Sequence, residues 1–308
     1  MGAVYSFFST KKSLSFVVAL LVVLAAFPFF FLGGPTPGST KLFCALWDSG
    51  HIIFFVVLAF VFSRIFDVSR WRICLAMLAC VFIGGGLIEI IQAQVGRDGN
   101  WQDLLNDLAG TSIGLSWFRR ANKWVWRARI VSLSACLPLL MSISGELAVR
   151  INSFNQFPLL EGFESSIAMY GLKNAQRSSD YHSQGSYSAK VRLGTGAYGG
   201  ISFTRLTRDW SSYKKFNIDI YNPDSLQLNM MLRVNDVQHD TSGWVDSDRF
   251  NKQISLASGW NHLQFSLDEI KQGPATRSMD LTQVSEVILY AKQLPQARVI
   301  YIDNIRLE

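Results

Sequence analysis

The second half of this 308-residue sequence contains no cysteine: Cys44, Cys74, Cys80 and Cys136 all lie in the first half. That excludes a disulfide scaffold for the later part, since a β-domain of about 150 residues buries enough core without staples. It leaves the redox compartment open. Internal repeats and low-complexity runs are missing too. So are a Gly-x-Ser-x-Gly elbow, an HExxH pair and a phosphate-binding glycine loop, the compact signatures of hydrolytic and nucleotide chemistry.

Charge of one sign is scarce in a telling place. Met1 to Asn152 carries 13 Lys+Arg against 7 Asp+Glu, and Ser153 to Glu308 carries 16 of each, so the whole net charge of +6 belongs to the first part. A nucleic-acid-binding protein does not distribute charge this way, and no nucleic-acid partner is expected.

What is abundant is apolar sequence. Ser15 to Leu32 has no charged residue over 18 positions, close to the roughly 20 that a bilayer-spanning helix needs. It continues through Pro28-Phe-Phe-Phe-Leu without a small-x-small cleavage site, which favours a retained anchor over a signal peptide. Further apolar segments at Ile52 to Phe66, Ile73 to Ala93, Leu104 to Trp117 and Ile130 to Val149 bring the expected number of spans to five. Leu104 to Trp117 is short, covering about 21 Å as a helix.

Lys11, Lys12, Arg64, Arg70, Arg72, Arg119, Arg120, Lys123, Arg127 and Arg129 then fall on one side, against Lys41, Arg97 and Arg150 on the other. Positive charge marks the cytoplasmic loops, so the N-terminus is expected inside and the C-terminal domain outside, with Trp124 and Trp126 at the interface.

This topology gathers scattered polar residues at one depth near the outer leaflet. Asp48 and His51 open span two, Glu89 and Gln92 close span three, Arg97 lies in the outer loop, and Asp103, Asn106 and Asp107 open span four. Asp103, Asn106, Gly110 and Gly114 run down one helical face, where Gly110-x-x-x-Gly114 admits close approach of another helix, as Gly84-Gly85-Gly86 does on span three. The other reading is that these residues snorkel into headgroups and cap one another.

The order Asp48-x-x-His51, Glu89-x-x-Gln92, Arg97 and Asp103-x-x-Asn106-x-x-x-Gly110-x-x-x-Gly114 resembles the VanZ family of membrane proteins, named for a teicoplanin-resistance factor. The likeness covers Trp47 to Arg120. The family usually has Asp-Lys before the His and a Tyr four residues after it, where this sequence has Asp48-Ser49 and Phe55. The resemblance implies a multispan cell-envelope protein, associated with glycopeptide resistance, whose polar cluster faces outward.

After Asn155-Gln-Phe-Pro158 the texture changes to short alternating runs: Ala189–Leu193, Phe216–Tyr221, Leu228–Val234, Asn261–Leu267, Val284–Tyr290 and Val299–Leu307. Period-two segments separated by Gly, Asn, Pro and Asp predict an antiparallel β-sandwich. The expected organisation is a transmembrane helical domain over 1–152, a linker over 153–160 and an extracytoplasmic β-domain over 161–308.

Gly162-Phe-Glu164, Tyr187–Leu193, Ile218–Pro223, Gly259–Phe265 and Tyr301–Ile305 resemble the galactose-binding-like jelly rolls of carbohydrate-binding modules. The resemblance implies saccharide binding and a structural calcium between Glu164 and Asp303, hard oxygen donors from the two ends of the domain. The alternative leaves Glu164 on the surface and Asp303 capping a turn. Sugar stacking needs exposed aromatic faces, for which Trp244, Tyr198, Tyr181 and Tyr290 are the candidates; Trp210 and Trp260 read as core. His239 with Asp240, Asp246 and Asp248 reads as a solvated loop.

Three functions follow. The first is an envelope protein that binds or handles a lipid-linked or surface glycan, the membrane cluster taking a charged headgroup among the membrane lipids and Arg97 its phosphate. The second is an intramembrane enzyme with Glu89 or His51 as base and Asp103 as acid on a headgroup linkage. The third is a structural anchor displaying the β-domain.

Overall fold

The computed structural model describes residues 11–94 and 101–308, with side chains described over 14–91 and 101–308. The chain divides into two compact units, one reaching Pro35 and resuming over Leu42–Ile143, the other formed by Thr36–Lys41 and Ser144–Glu308.

The first unit is helical. It comprises α1 (Lys11–Ala26) with a 3-10 turn at Phe27–Phe30, α2 (Lys41–Ile65), α3 (Trp71–Gln94), α4 (Trp101–Trp117), α5 (Lys123–Ser134) and the start of α6 (Leu137–Gln156). Lys41–Ile65, Trp71–Ile91 and Lys123–Gln156 are long and apolar enough to cross a membrane, by length and composition. The segments expected as spans one and four are shorter. Span five proves to be two helices, interrupted at Ala135-Cys136 where α5 ends and α6 begins. Asn122 starts α5 by accepting the Trp124 and Val125 N–H groups at 2.9 and 3.0 Å, so this segment has its own cap.

α4 buries Leu104, Asn106, Asp107, Ala109, Gly110, Thr111, Gly114, Leu115 and Ser116. Its glycines make this possible. A Cβ at Gly110 would stand 2.5 Å from the Ile52 carbonyl oxygen and one at Gly114 2.5 Å from the Ala59 Cβ, so α2 and α4 touch along the predicted seam. Only Gly85 of the glycine triplet faces a neighbour, where a Cβ would meet Leu104 at 2.8 Å. Phe30, Phe55, Ala59, Cys74, Met77, Val81 and Leu115 form the interior, while Leu24, Ile53, Phe82, Ile83, Ile130 and Met141 remain exposed.

The second unit is a β-sandwich. Strands β1 (Leu159–Glu161), β2 (Ala175–Ser178), β3 (Ser188–Leu193), β4 (Tyr198–Phe203), β5 (Lys215–Asn222), β6 (Leu228–Asp236), β7 (Phe250–Leu256), β8 (Gly259–Ser266), β9 (Val284–Lys292) and β10 (Arg298–Leu307) form two antiparallel sheets. One runs β2-β3-β10-β5-β8 with β1 also on β10; the other runs β4-β9-β6-β7. Short helices α7 (Val237–Thr241) and α8 (Leu267–Lys271) follow β6 and β8.

Alternation sends Phe216, Ile218 and Ile220 of β5, Leu232 and Val234 of β6, and Ile300 and Ile302 of β10 inward, all fully buried. Each such side chain contributes roughly 1.5–3 kcal/mol. Trp210 completes this core as expected, stacked 5.0 Å from Phe216 with its indole N–H on the Thr207 carbonyl. The boundary expected at Asn152 falls inside α6. Residues from Ser144 join the β unit because Glu146 pairs with Arg205 at 2.6 Å and Gly145 packs against the Tyr170 ring.

Candidate functional site

One group of polar side chains in each unit is a candidate site. In the helical unit, the His51 ring of α2 reaches α4: Nδ1 is 2.8 Å from Asp107 Oδ1 and Nε2 is 3.9 Å from Asp103 Oδ2. The ends of α2 and α4 that carry these residues therefore meet. His51, Glu89, Asn106 and Asp107 are buried. Asp48, Glu89 and Asp107 act electrostatically on Asp103, which places the acidic groups around one point. Asn106 accepts from Gln102 at 3.4 Å, and among the described residues its Nδ2 has no hydrogen-bond partner. Gln92 and Arg97 lie outside the residues whose side chains are described.

His51 also lines a pocket of about 270 Å³ with Ala26, Phe29, Phe30, Leu46, Trp47, Gly50 and Phe54. Phe30 stands edge-on to the imidazole at 4.9 Å. A polar cluster thus opens on an apolar cavity, an arrangement suited to a molecule with one charged and one greasy end.

In the β unit, the outward face of the four-stranded sheet carries the second candidate. Residues paired across strands share a face, so the register reads off its rows. Gly200, Tyr290, Met231 and Gln253 form one row; Ser202, Ile288, Arg233 and Asn251 form the next; Glu286 and Asn235 follow. From Tyr290 to Glu286 the strip runs about 13 Å along β9.

Its two ends are aromatic. Tyr198, 70% exposed, stands edge-on to Tyr290 at 5.5 Å, and Trp244, 52% exposed, stands edge-on to His239 at 5.7 Å. Between them the floor is polar and interlocked. Ser202 Oγ donates to Glu286 and Asn235 Nδ2 donates to the same carboxylate at 3.1 Å. Arg233 Nε donates to Asn235 Oδ1 at 2.8 Å, and its Nη2 lies 3.1 Å from His239 Nε2. Because a guanidinium only donates, Nε2 accepts and the ring proton is on Nδ1.

The segment expected to be a solvated loop is what holds this floor. His239 is fully buried and Asp240 nearly so, because Asp236 caps α7 by accepting the His239 N–H at 2.9 Å and turns the chain inward. Arg277 clamps Asp236 at 2.6 and 2.7 Å and Asp248 at 2.6 and 3.0 Å. Burial, together with the Arg233 and Arg249 charges, holds His239 below the usual imidazole range, so the ring is neutral. At 3.6 Å its Nδ1 neither hydrogen-bonds Asp248 nor forms an ion pair with it. Of His239, Asp240, Asp246 and Asp248, Asp246 is the one that is solvated, its side chain 88% exposed, in a stretch 241–247 that is exposed throughout.

The loop 179–187 lies over the β10 and β5 part of the outward face of the six-stranded sheet, while His262 on β8 stays exposed. Ser183 and Gln184 donate backbone N–H groups to Asp303 Oδ2 at 2.7 and 3.0 Å, and Ser186 and Tyr187 donate theirs to Glu164 Oε1 at 2.8 and 3.0 Å. Glu164 and Asp303 thus share one loop by hydrogen bonding, and among the described residues no group of three or more His, Cys, Asp or Glu gathers as a metal site. Tyr181 lies flat on Tyr221 at 4.1 Å rather than standing free. Trp260, expected in the core, is half-buried on this outer face, 5.2 Å from Tyr221 and parallel to His262. The core position on β8 belongs to Phe265, and a residue five places away on a strand faces the other side.

No protein-family model matches the chain, and no curated protein does. Solved structures similar to it include carbohydrate-binding modules and glycoside hydrolases. An exo-β-agarase is 18% identical at a TM-score of 0.40, over 49% of this chain and 24% of the agarase. A family 11 carbohydrate-binding module from Clostridium thermocellum, in complex with a β-1,3-1,4-mixed-linked tetrasaccharide, is 19% identical at a TM-score of 0.33, over 44% of this chain and 83% of the module. An arabinose-bound α-L-arabinofuranosidase is 12% identical at 0.34, over 48% of this chain and 26% of that one.

Proposed function

We propose that this is an integral membrane protein of the cell envelope whose β-sandwich binds a saccharide on the open face of its four-stranded sheet. The observation that carries the reading is the polar floor of Ser202, Arg233, Asn235 and Glu286 between aromatic ends at Tyr198/Tyr290 and Trp244. Sugar hydroxyls need donors and acceptors held in place, and sugar C–H faces need flat aromatic surfaces. Both are fixed here before any ligand arrives. Three helices of spanning length, exposed apolar side chains and the one-sided Lys and Arg support membrane insertion, with the N-terminus cytoplasmic and the sandwich extracytoplasmic.

The helical cluster extends the proposal. The pocket beside His51 takes the greasy chain of a lipid or lipid-linked precursor, and the polar groups of α2 and α4 take its head, in keeping with the resemblance to VanZ-like proteins. A structural calcium remains part of the proposal, drawing on Glu164 Oε2 and Asp303 Oδ1 beside the loop that both residues hold.

The test is saccharide binding by the full chain in nanodiscs, read by calorimetry against a panel of soluble polysaccharides. Trp244→Ala and Tyr198→Ala should each weaken binding about tenfold, on the scale of a central aromatic anchor. Unchanged affinity in both variants would remove the sheet face from the proposal.

One observation favours a second reading. His51 lines the pocket with Nδ1 held by Asp107 and Nε2 3.9 Å from Asp103, a carboxylate–imidazole arrangement of the kind a general base uses. In that case His51→Gln and Asp107→Asn abolish turnover of a lipid-linked substrate while leaving saccharide binding intact. Substrate turned over equally by both variants would exclude it.

A further inference from the structure

The ion-paired arginines of the sandwich differ from Arg233 in their partners, although Arg177 too is held by neutral acceptors, the Phe163 and Glu164 carbonyls. Arg205, Arg249, Arg277, Arg298 and Arg306 each pair with a carboxylate. Arg233 has only neutral acceptors, the Asn235 amide oxygen and the neutral His239 ring, and no carboxylate lies within 4.0 Å of it among the described residues. Glu286, the acidic group of the floor, accepts hydrogen bonds from Ser202 and Asn235 and, with Asp240, acts on Arg233 electrostatically without touching it.

The guanidinium is half-buried at mid-strip, and a second cation is close by: Arg249 acts electrostatically on Arg233, and its Nε is buried with no acceptor. The carboxylates of Glu286 and Asp240 act on Arg233 only from beyond ion-pair distance, so a partly desolvated guanidinium has no direct ionic contact in the free protein, and an anion seated on it in the groove supplies one. Its fork suits a flat oxyanion, which it grips by two parallel hydrogen bonds.

We propose that the saccharide bound on this face is anionic, its carboxylate or sulfate group seated on Arg233. The proposal rests on the reading of this face as a saccharide site and names the ligand class. Arg233 is held for the task from behind: Asn235 fixes Nε, His239 fixes Nη2, and Trp244 lies 6.0 Å from the guanidinium. Among the described residues Nη1 makes no hydrogen bond, so its protons and the second Nη2 proton are the pair available to an oxyanion.

The experiment measures affinities of the full chain in nanodiscs for polygalacturonate against its carboxyl-reduced form, and for dextran sulfate against dextran. The expected result is a preference of about tenfold or more for an acidic polymer over its neutral counterpart, the scale of one hydrogen-bonded charge pair. Preference in the first pair identifies a carboxylate and in the second a sulfate. Arg233→Gln should remove the preference, and Arg233→Lys should keep part of it, since charge survives without the fork. An unchanged melting temperature shows that each variant is folded, and Arg249→Gln provides a second, partial loss should Arg233→Gln fail to fold.

Equal affinity for acidic and neutral polymers, both weakened by Trp244→Ala, overturns the anion proposal and leaves the saccharide reading standing. A preference that survives Arg233→Gln also overturns it. Absence of binding to all four polymers overturns both.

Discussion

Replacing Arg277 by Met should unfold the sandwich at a markedly lower temperature. The guanidinium makes four N–H···O contacts of 2.6 to 3.0 Å with Asp236 and Asp248, at a place where the Asp236 side chain is 0% and the Arg277 side chain 15% exposed. Removing one partner of a buried pair leaves a charge uncompensated, which costs about 3–5 kcal/mol. For a unit of this size each kcal/mol lowers Tm by about 2–4 °C, so a fall near 10 °C is expected.

Acid sensitivity supplies a check on the cause. Burial raises the Asp236 carboxyl, but the Arg277 hydrogen bonds and two backbone N–H groups outweigh it and hold the group below the ordinary range; Asp248 is lowered chiefly by the same Arg277. Carboxylates depressed in the folded state stabilise it above their unfolded value, about 3.9, and that contribution is lost as pH falls through the folded values. Arg277→Met should therefore flatten the acid limb of a Tm–pH profile measured by calorimetry between pH 2 and pH 7 as well as lower the plateau. The double variant with Asp236→Asn should lose much less than the two single variants added together. A Tm shift below about 2 °C, or strict additivity, would refute the argument that this pair is an energetic node.

Titrating His239 should act in the same direction over a different range: its depressed folded value means that stability is full above about pH 6.5 and falls with acidification below it. His239→Gln should abolish that slope in a thermal melt, and a slope that persists would assign it elsewhere. In the helical unit, Gly110→Leu should cost about 1–3 kcal/mol or more because a Cβ there meets the Ile52 backbone, which cannot give way. Gly84→Ala, with nothing within 4 Å of its Cβ, should be neutral, and equal loss of thermal stability in nanodiscs would contradict the seam. If calcium joins Glu164 and Asp303, EDTA lowers the melting temperature of the sandwich; an unchanged melt leaves the loop to its hydrogen bonds.

How far the sequence foretold this depended on the physics at each place. Six strands were legible because their inward residues are apolar and alternate. β4 was not, since Gly199 and Gly200 interrupt its pattern: Gly200 is small because Leu289 and Tyr290 press on it from β9. β7 reads as polar because Asn251, Lys252, Gln253 and Ser255 are exposed and only Phe250, Ile254 and Leu256 turn inward. The Trp260 misreading was avoidable, as its spacing from Phe265 is odd. The His239 segment was harder, because its burial depends on Arg277, remote in sequence.

In the helical unit the gathering of Asp48, His51, Asp103 and Asp107 at one level was legible from helical spacing, but the specific contact of His51 with Asp107 was not. The Arg97 part of that cluster lies outside the described residues. Tyr198 and Trp244 were readable as exposed aromatics, but that one sheet face unites them with Arg233 depends on strand register, which no local pattern carries.

β10 pairs with β3 on one side and β5 on the other, and β1 also joins it. The segment Arg298–Leu307 is therefore the keystone of the larger sheet. Until it arrives, β3 and β5 present open edges able to recruit foreign strands, and the core face carrying Ile218 and Ile220 lacks its neighbour. Such long-range closure makes assembly slow compared with that of proteins built from local contacts. A polypeptide delivered start-first must hold most of this unit unfinished, so shortening it by ten residues removes the whole sandwich rather than trimming it.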